Sequence, residues 1–393
     1  MFAKLQKLLT KSRVPDNTYL MPLFGASWMS RDYSRFADEA YIKNVIAHRS
    51  IALIAQAAAS IPLQLYQNVK GKKVPVKSHP LLVLLARPNP TQSGREFFEM
   101  LYSYRQIAGN AFVLAIGAGS KPPQELYALR PDRITIIPGK NFIPSCYRYQ
   151  VENKITDFHV DPVTGYSNIL HIKSFHPLSD WYGLSSIEAA AYSIDQHNQA
   201  GQWNQALLQN GARPSGAIIV KNDQNQPGHI NDQQFARLKS MVDEVFCGAR
   251  NAGRPILLEG GLEWREMSLS PKDMDFIESK HSSARDIALA LGVPPQLLGI
   301  PGDNTYANLQ EARLALWEQT VIPIAENVVD NLNSWLGSFY GYDYELACDT
   351  DEINALAERR QTVWSRLAAC PFMTINEKRQ AIGLGAIEGG DTI

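Results

Sequence analysis

SLSPKDMDFIESKHSSARDIALALGVPPQLLG, residues 268–299, reads as one helix with both of its ends written into it. Ser270 offers a side-chain oxygen to the orphan N–H groups of a first turn, and Pro271 suits that turn because its missing N–H costs nothing there. Asp273 and Asp275 follow where carboxylates meet the positive end of the helix dipole, which accounts for both without any chemistry. The helix runs to about Leu291, and Gly292-Val293-Pro294-Pro295 stops it. A segment rich in Gly, Pro, Asp and Asn comes next (Gly299, Pro301, Gly302, Asp303, Asn304). Helical spacing returns over 307–336. At roughly 1.5 Å per residue that helix would span about 45 Å, with a kink expected at Pro323.

Upstream, 187–210 predicts another long helix of unusual make-up. Asp195, Gln196, His197, Asn198, Gln199, Gln202, Asn204, Gln205, Gln209 and Asn210 crowd it, and its apolar stripe is thin: Ile187, Ala190, Ala191, Ile194, Trp203, Leu207. A solitary surface helix carries a wider stripe. Polar flanks with small residues between them suit a helix set edge to edge with neighbours. Gly211 and Arg213-Pro214 end it. Between the two helices, 213–270 reads β-α-β-β: strand 217–220, helix 231–246, strands 255–258 and 263–267.

Residues 1–180 read as a mixed α+β domain with mostly antiparallel strands. Helix 41–59 stops at Ser60-Ile61-Pro62, strand 63–66 follows, and 70–73 is a basic hairpin tip. Helices are expected at 79–85 and 91–106, the second burying Phe97, Phe98, Leu101 and Tyr104. Strands follow at 111–116, 125–129, 134–137, 147–152 and 169–174. After the 307–336 helix come 351–369, a break at Cys370-Pro371, and a short helix at 374–381.

Composition narrows the function. The chain has 393 residues, 45% hydrophobic and 20% charged, with 38 Lys+Arg against 39 Asp+Glu. That is ordinary globular material, enough for two to four domains. A tight nucleic-acid binder needs uncompensated cations to displace counterions, and none are spare here. A conduit through which DNA slides is compatible with neutrality, because a sticky wall would stall it. Cys146, Cys247, Cys348 and Cys370 are scattered, so neither a zinc ribbon nor a disulfide framework is expected, and the compartment is cytosolic. No run of about 18 apolar residues predicts a membrane span. Residues 1–13 alternate Lys4, Lys7, Lys11 and Arg13 with Phe2, Leu5, Leu8 and Leu9. They lack a signal peptide's apolar centre and are read as an arm that docks or frays, with a membrane-surface helix as the alternative.

Catalytic signatures are missing from the sequence. There is no phosphate-cradling P-loop, no H-E-x-x-H and no G-x-S-x-G. Gly117-Ala118-Gly119 follows a strand but opens no helix, so it is a hairpin turn. His171 and His176 have no third ligand near them in sequence. An enzyme is the weaker class, and no cofactor or metal is expected.

Several stretches in order resemble the portal, or head-to-tail connector, of tailed phages of the common siphophage type. They are HPLLVLLARPNPTQSGREFFEMLYSYRQIAGNAFVLA (79–115), ELYALRPDRITIIPG (125–139), YGLSSIEAAAYSI (182–194), the opening 268–299, and ANLQEARLALWEQTVIPI (307–324). The resemblance implies an α+β portal fold. In it, 1–185 is a wing with an N-terminal arm over 1–40, and 186–212 and 271–292 are two stem helices around a clip, 213–270. Residues 293–307 become a tunnel loop, 308–337 a long kinked helix, and 338–393 a helical crown. The crown is short for the family, which fits a small-headed particle such as a domesticated prophage or a gene transfer agent.

The resemblance also implies function and partners. The chain would be a homo-dodecamer at one capsid vertex of the virion, assembled in the host bacterial cytoplasm, with no membrane involved. It would pass double-stranded DNA without reading sequence and would bind the major capsid protein, terminase and head-tail connector proteins. By that reading Ile300, Asp303, Asn304 and Thr305 line the channel. Leu297, Leu298 and Ile300 could equally anchor the loop on the helix behind it, the role favoured for aliphatics in an aqueous bore. Lys221, Asp223, Asp232, Arg237, Lys239, Arg250 and Arg254 would dock partners at the clip. Gln196, Gln199, Trp203 and Gln205 would face neighbouring subunits along the stem. Two other classes stay open: another phage structural or peripheral membrane scaffold protein using 1–13, and an enzyme of unrecognised type.

Overall fold

The structure is a computed structural model. It describes residues 32–69, 72–117, 121–140, 142–209, 216–220, 262–266, 276–302, 306–382 and 385–392, with isolated positions 233 and 236. Helix α1 (Val45–Ala59) starts four residues later than its periodicity suggests. Asn44 is the reason: it sits in an extended conformation and its side chain accepts from Ile46 N and Ala47 N. A π-helical turn, Phe36–Ile42, precedes it. Strand β1 (Leu63–Val69) forms an antiparallel hairpin with β2 (Lys72–Val76). Strand β2 holds Pro75, and as a sheet edge it can spare the missing N–H.

His79 caps α2 (Pro80–Ala86) by accepting from Leu81 N. Asn89 then takes the N–H and hydroxyl of Thr91, holding 89–92 as a turn. Helix α3 (Gly94–Ala108) therefore starts at a Ser93–Glu96 capping box rather than at 91. Beyond it come β3 (Asn110–Ile116), β4 (Glu125–Leu129), β5 (Ile134–Ile137), β6 (Cys146–Val151), β7 (Lys154–His159) and β8 (Ile169–Lys173). They form two antiparallel sheets, β4-β3-β8 and β5-β6-β7. Phe112, Leu129, Ile134, Ile136, Tyr147 and Ile169 pack together as a core of their own.

The chain then enters α4 (Ala191–Gln209) and later α5 (Phe276–Ala290). Of the segment between them, β9 (Gly216–Val220) and β10 (Leu262–Glu266) are described, and they pair antiparallel. The helix expected at 231–246 and the strand at 255–258 fall outside the described residues.

The long helix comes in two parts, α6 (Tyr306–Leu316) and α7 (Ile322–Tyr340), joined by a π-helical turn over Trp317–Val321. The irregularity lies immediately before Pro323, where the sequence places the kink. Proline supplies no N–H and its ring crowds the preceding turn, and widening the backbone to i→i+5 bonds accommodates both. Helix α7 buries Ala325, Val328, Val329, Leu332, Trp335 and Leu336, one face at helical spacing. That face joins Ile51, Ile54, Leu65, Phe97, Leu101, Ile172, Ile187, Ile194 and Ile287 in one core shared by α1, α3, α4, α5 and α7.

Strand β11 (Tyr344–Cys348) follows and pairs with β1, giving a sheet of order β11-β1-β2. The stretch 344–348, read from sequence as crown, is thus an edge of the first domain's sheet. Helices α8 (Ala357–Ala368) and α9 (Ile375–Ala381) close the chain, the second with a Thr374–Glu377 capping box.

Candidate functional site

Two motif glycines meet where the N-terminal domain hands over to α4. Asn110, next to Gly109, ties them. Its Oδ1 accepts from Gly183 N at 2.7 Å and from His171 Nε2 at 2.9 Å, while its Nδ2 donates to Ala108 O at 2.8 Å. Ser174 N donates to Gly109 O at 2.8 Å. Ser185 Oγ reaches back to Ile107 O at 2.7 Å and accepts from Ile187 N at 3.0 Å. The ends of α3 and β8 and the segment leading into α4 are therefore stitched through one buried polar knot. His171 stacks on Phe112 with ring centroids 4.5 Å apart. Burial, helped by the charge of Lys173, pushes its pKa down to about 3, so the ring is neutral and donates through Nε2.

Helices α4 and α5 run side by side. Ser193 Oγ lies 3.5 Å from Asp286 Oδ2, and Ser283 Oγ donates to Gln196 Oε1 at 3.3 Å. Asn44, already a helix cap, donates through Nδ2 to Asn198 Oδ1 at 2.9 Å and to His197 Nδ1 at 3.2 Å. Asn198 Nδ2 donates in turn to Glu39 O at 2.8 Å. Burial, then the charge of Lys280, lowers the pKa of His197, in keeping with a ring nitrogen that accepts. The polar residues that look surplus in the sequence thus bind α4 to the domain beside it.

Of the four stem positions named from sequence, Gln196, Gln199 and Trp203 share one stripe with Tyr192 at spacings of four, three and four residues. Gln196, Gln199 and Tyr192 are exposed on it and Trp203 is half-buried. Gln205 lies about 180° around the helix from Gln196.

The far end of α5 closes in a Schellman motif. Val293 N bonds Ala288 O at 2.9 Å and Gly292 N bonds Leu289 O at 3.0 Å, with Gly292 left-handed at φ +70. Thr320, inside the π-helical turn, donates through Oγ1 to Gly292 O at 2.7 Å, so the kink of the long helix grips the end of α5. The following segment is held as well. It makes a 3₁₀ turn over Pro295–Leu298, and Arg285 Nη2 donates to Pro301 O at 2.6 Å. Ile300 is 4% exposed and packs on Ala284 and Ala288, with Leu298 and Ile46 beside them. Ile300 is accordingly corrected from channel lining to anchor, because its side chain is spent on α5. Asp303, Asn304 and Thr305 lie outside the described residues. So do Lys221, Asp223, Asp232, Arg237, Lys239, Arg250 and Arg254.

Thr320→Val keeps the shape and removes the hydroxyl. It should lower unfolding stability by about 1 kcal/mol, read as a urea midpoint shift, since Gly292 O loses one hydrogen bond at a part-buried site. An unchanged midpoint would mean that the two helices do not depend on this tie.

Among the described residues no group of three His, Cys, Asp or Glu could hold a metal ion. Cys146, Cys348 and Cys370 are free thiols, and burial pushes the Cys348 thiol up to about 11, away from reactivity. The contacts among the described residues join helices and hold a loop.

The described residues thus set two helices side by side, with a pinned loop and a long kinked helix, around a shared core. The family model described as phage portal protein matches residues 46–383, and the chain belongs to that family. It is 24% identical over 369 residues to the portal protein of Enterobacteria phage HK97, covering 91% of this chain and 82% of that one. Two solved structures resemble it closely. The neck of an empty gene transfer agent particle, computed with C6 symmetry, matches at 42% identity and TM-score 0.71, covering 92% of this chain and 96% of that one. The neck of the native particle, with C12 symmetry, matches at 42% identity and TM-score 0.69, covering 92% and 95%.

Proposed function

We propose that twelve copies of this chain form a ring at the neck of a small-headed, phage-derived particle of the gene transfer agent type. Through that ring double-stranded DNA enters and leaves the capsid. The observation that carries this reading is the 42% identity, across 92% of the chain, with a particle neck of C12 symmetry. The stem supports it. Tyr192, Gln196 and Gln199 are exposed along one stripe of α4, Gln196 while also accepting from Ser283 of α5, and an exposed polar stripe of this kind suits contact with identical neighbours in a ring.

The segment 213–270 is then the clip, where terminase and head-tail connector proteins dock, and the wing meets the major capsid protein. The crown begins after β11. Energy comes from the partner: a passive channel needs no phosphate loop, and the purified ring should not hydrolyse ATP.

Channel contact with DNA is electrostatic and indifferent to sequence. The root of the loop is pinned through Ile300 and Arg285, and on this reading Asp303, by its position in the sequence, faces the bore, where twelve carboxylates would keep phosphates from sticking. Asp303→Lys should slow packaging several-fold at low salt, with recovery as salt rises, because counterion release and screening govern the new contacts. Intact rings that package normally at low salt would remove Asp303 from the channel wall.

A further inference from the structure

The C-terminal hairpin is well built at its ends and uncovered along its side. Neither α8 nor α9 contains a buried residue. The ends are nevertheless specified. Thr374 and Glu377 close a capping box, and Asn376 donates to Asp391 Oδ1 at 2.7 Å and accepts from Ile387 N at 2.8 Å. Arg379 Nε donates to Gly385 O at 2.8 Å. Two basic residues moor α8 to the body: Arg359 pairs with Glu318, and Arg360 donates to Thr350 O at 3.0 Å. Between the two helices lies an apolar groove of about 300 Å³, lined by Trp364, Leu367, Ala368, Ile375 and Ile382, with Lys378 and Arg379 beside them. Trp364 is 54% exposed and Ile375 47%. Two further apolar side chains stand outside the groove, Val363 at 41% and Phe372 at 74%. Short helices without a buried face do not hold themselves together in water.

We propose that the groove is filled by the next copy of this chain, with Phe372 of one subunit seated against Trp364 and Ile382 of its neighbour, head to tail around the ring. This rests on the ring reading above. The chain itself argues for that occupant. A head-to-tail contact needs two different, complementary patches on one subunit, and the hairpin carries a groove and a separate knob. The groove's flank is cationic, and the chain exposes the acids Glu352 and Glu358 at and just before the start of α8 to answer it. A ring sets identical hairpins side by side, so a contact too weak to form between free chains forms at high effective concentration.

The test uses full-length protein in a Cys370→Ser background. A tagged Phe372→Cys chain and an untagged Ile382→Cys chain are co-expressed, ring-sized material is isolated by gel filtration, and it is oxidised. A disulfide-linked tagged–untagged pair should appear, at least tenfold above the linked pairs of like chains in rings of either variant alone, since only a groove contact brings those positions within bridging distance. Trp364→Glu, in turn, should keep ring size but speed tryptic cleavage at Arg366 and Lys378 at least fivefold. Full-size rings with no mixed pair, or with unchanged cleavage in Trp364→Glu, would overturn the proposal while leaving the ring intact. Failure of the Cys370→Ser parent to form rings would instead overturn the ring reading, and this contact with it.

Discussion

Gly183→Ala should abolish soluble rings and cost the folded chain at least about 3 kcal/mol. An added Cβ would stand 2.6 Å from Ser174 N and 2.8 Å from Ser174 O, and closer still to Gly109 O. All three are backbone atoms, so no side chain can swing aside. Nor can the backbone retreat cheaply. Gly183 N is bonded to Asn110 Oδ1, and Ser174 N to Gly109 O, so opening the space breaks the knot that joins α3 and β8 to the segment leading into α4. Domains are stable by only about 5–15 kcal/mol, and a loss of this size shows as low yield and an early urea midpoint. Gly385→Ala, where a Cβ meets nothing within 4 Å, should stay within about 0.5 kcal/mol of the parent. Equal behaviour of the two variants would mean that the joint is not closely packed.

Acid should weaken the same joint through His171. Its folded pKa, about 3, lies below the ordinary value of 6.5, so between those pH values the unfolded chain binds a proton that the folded chain refuses. The stability contributed by the neutral ring is fully present above pH 6.5 and is lost as pH falls towards 3. The full shift would be worth over 4 kcal/mol, but the residue keeps partial exposure, and about 2–3 kcal/mol is the expected loss. His171→Gln can still donate to Asn110 Oδ1 but cannot titrate. Its urea midpoint should vary less between pH 7 and pH 4 than the parent's, and parallel pH profiles would remove His171 from the account.

The parts legible in the sequence are those governed by neighbours along the chain. Glu125–Leu129 and Ile134–Ile137 fall where alternation and turn residues place them, and the Gly-Val-Pro-Pro stop of the opening stretch is the Schellman end of α5. The kink at Pro323 is legible for the same reason. Parts fixed across long separations are not. Strand β11 has no strong pattern of its own until β1 supplies its partner, almost 300 residues away, and that pairing sets 344–348 beside 63–67. Asn110 carries no pattern of its own, yet it holds Gly183 and His171 together. The stretches 79–115 and 182–194 stand out as motifs, but nothing local says that Gly109 of one meets Gly183 of the other. For the site, three of the four stem residues lie on one stripe, while Ile300 turned inward because α5 offers it Ala284 and Ala288. Helical spacing orders the first, whereas only packing decides the second.

The claim on which the rest depends is that identical copies close into a ring. Native mass spectrometry of the purified chain, with negative-stain averages of the same fraction, measures it most directly. Twelve copies of the 43.8 kDa chain should give a species of about 0.5 MDa, seen end-on as a twelve-fold ring with a central hole. A folded protein that stays at 43.8 kDa at every concentration, with no annular particles, would contradict it.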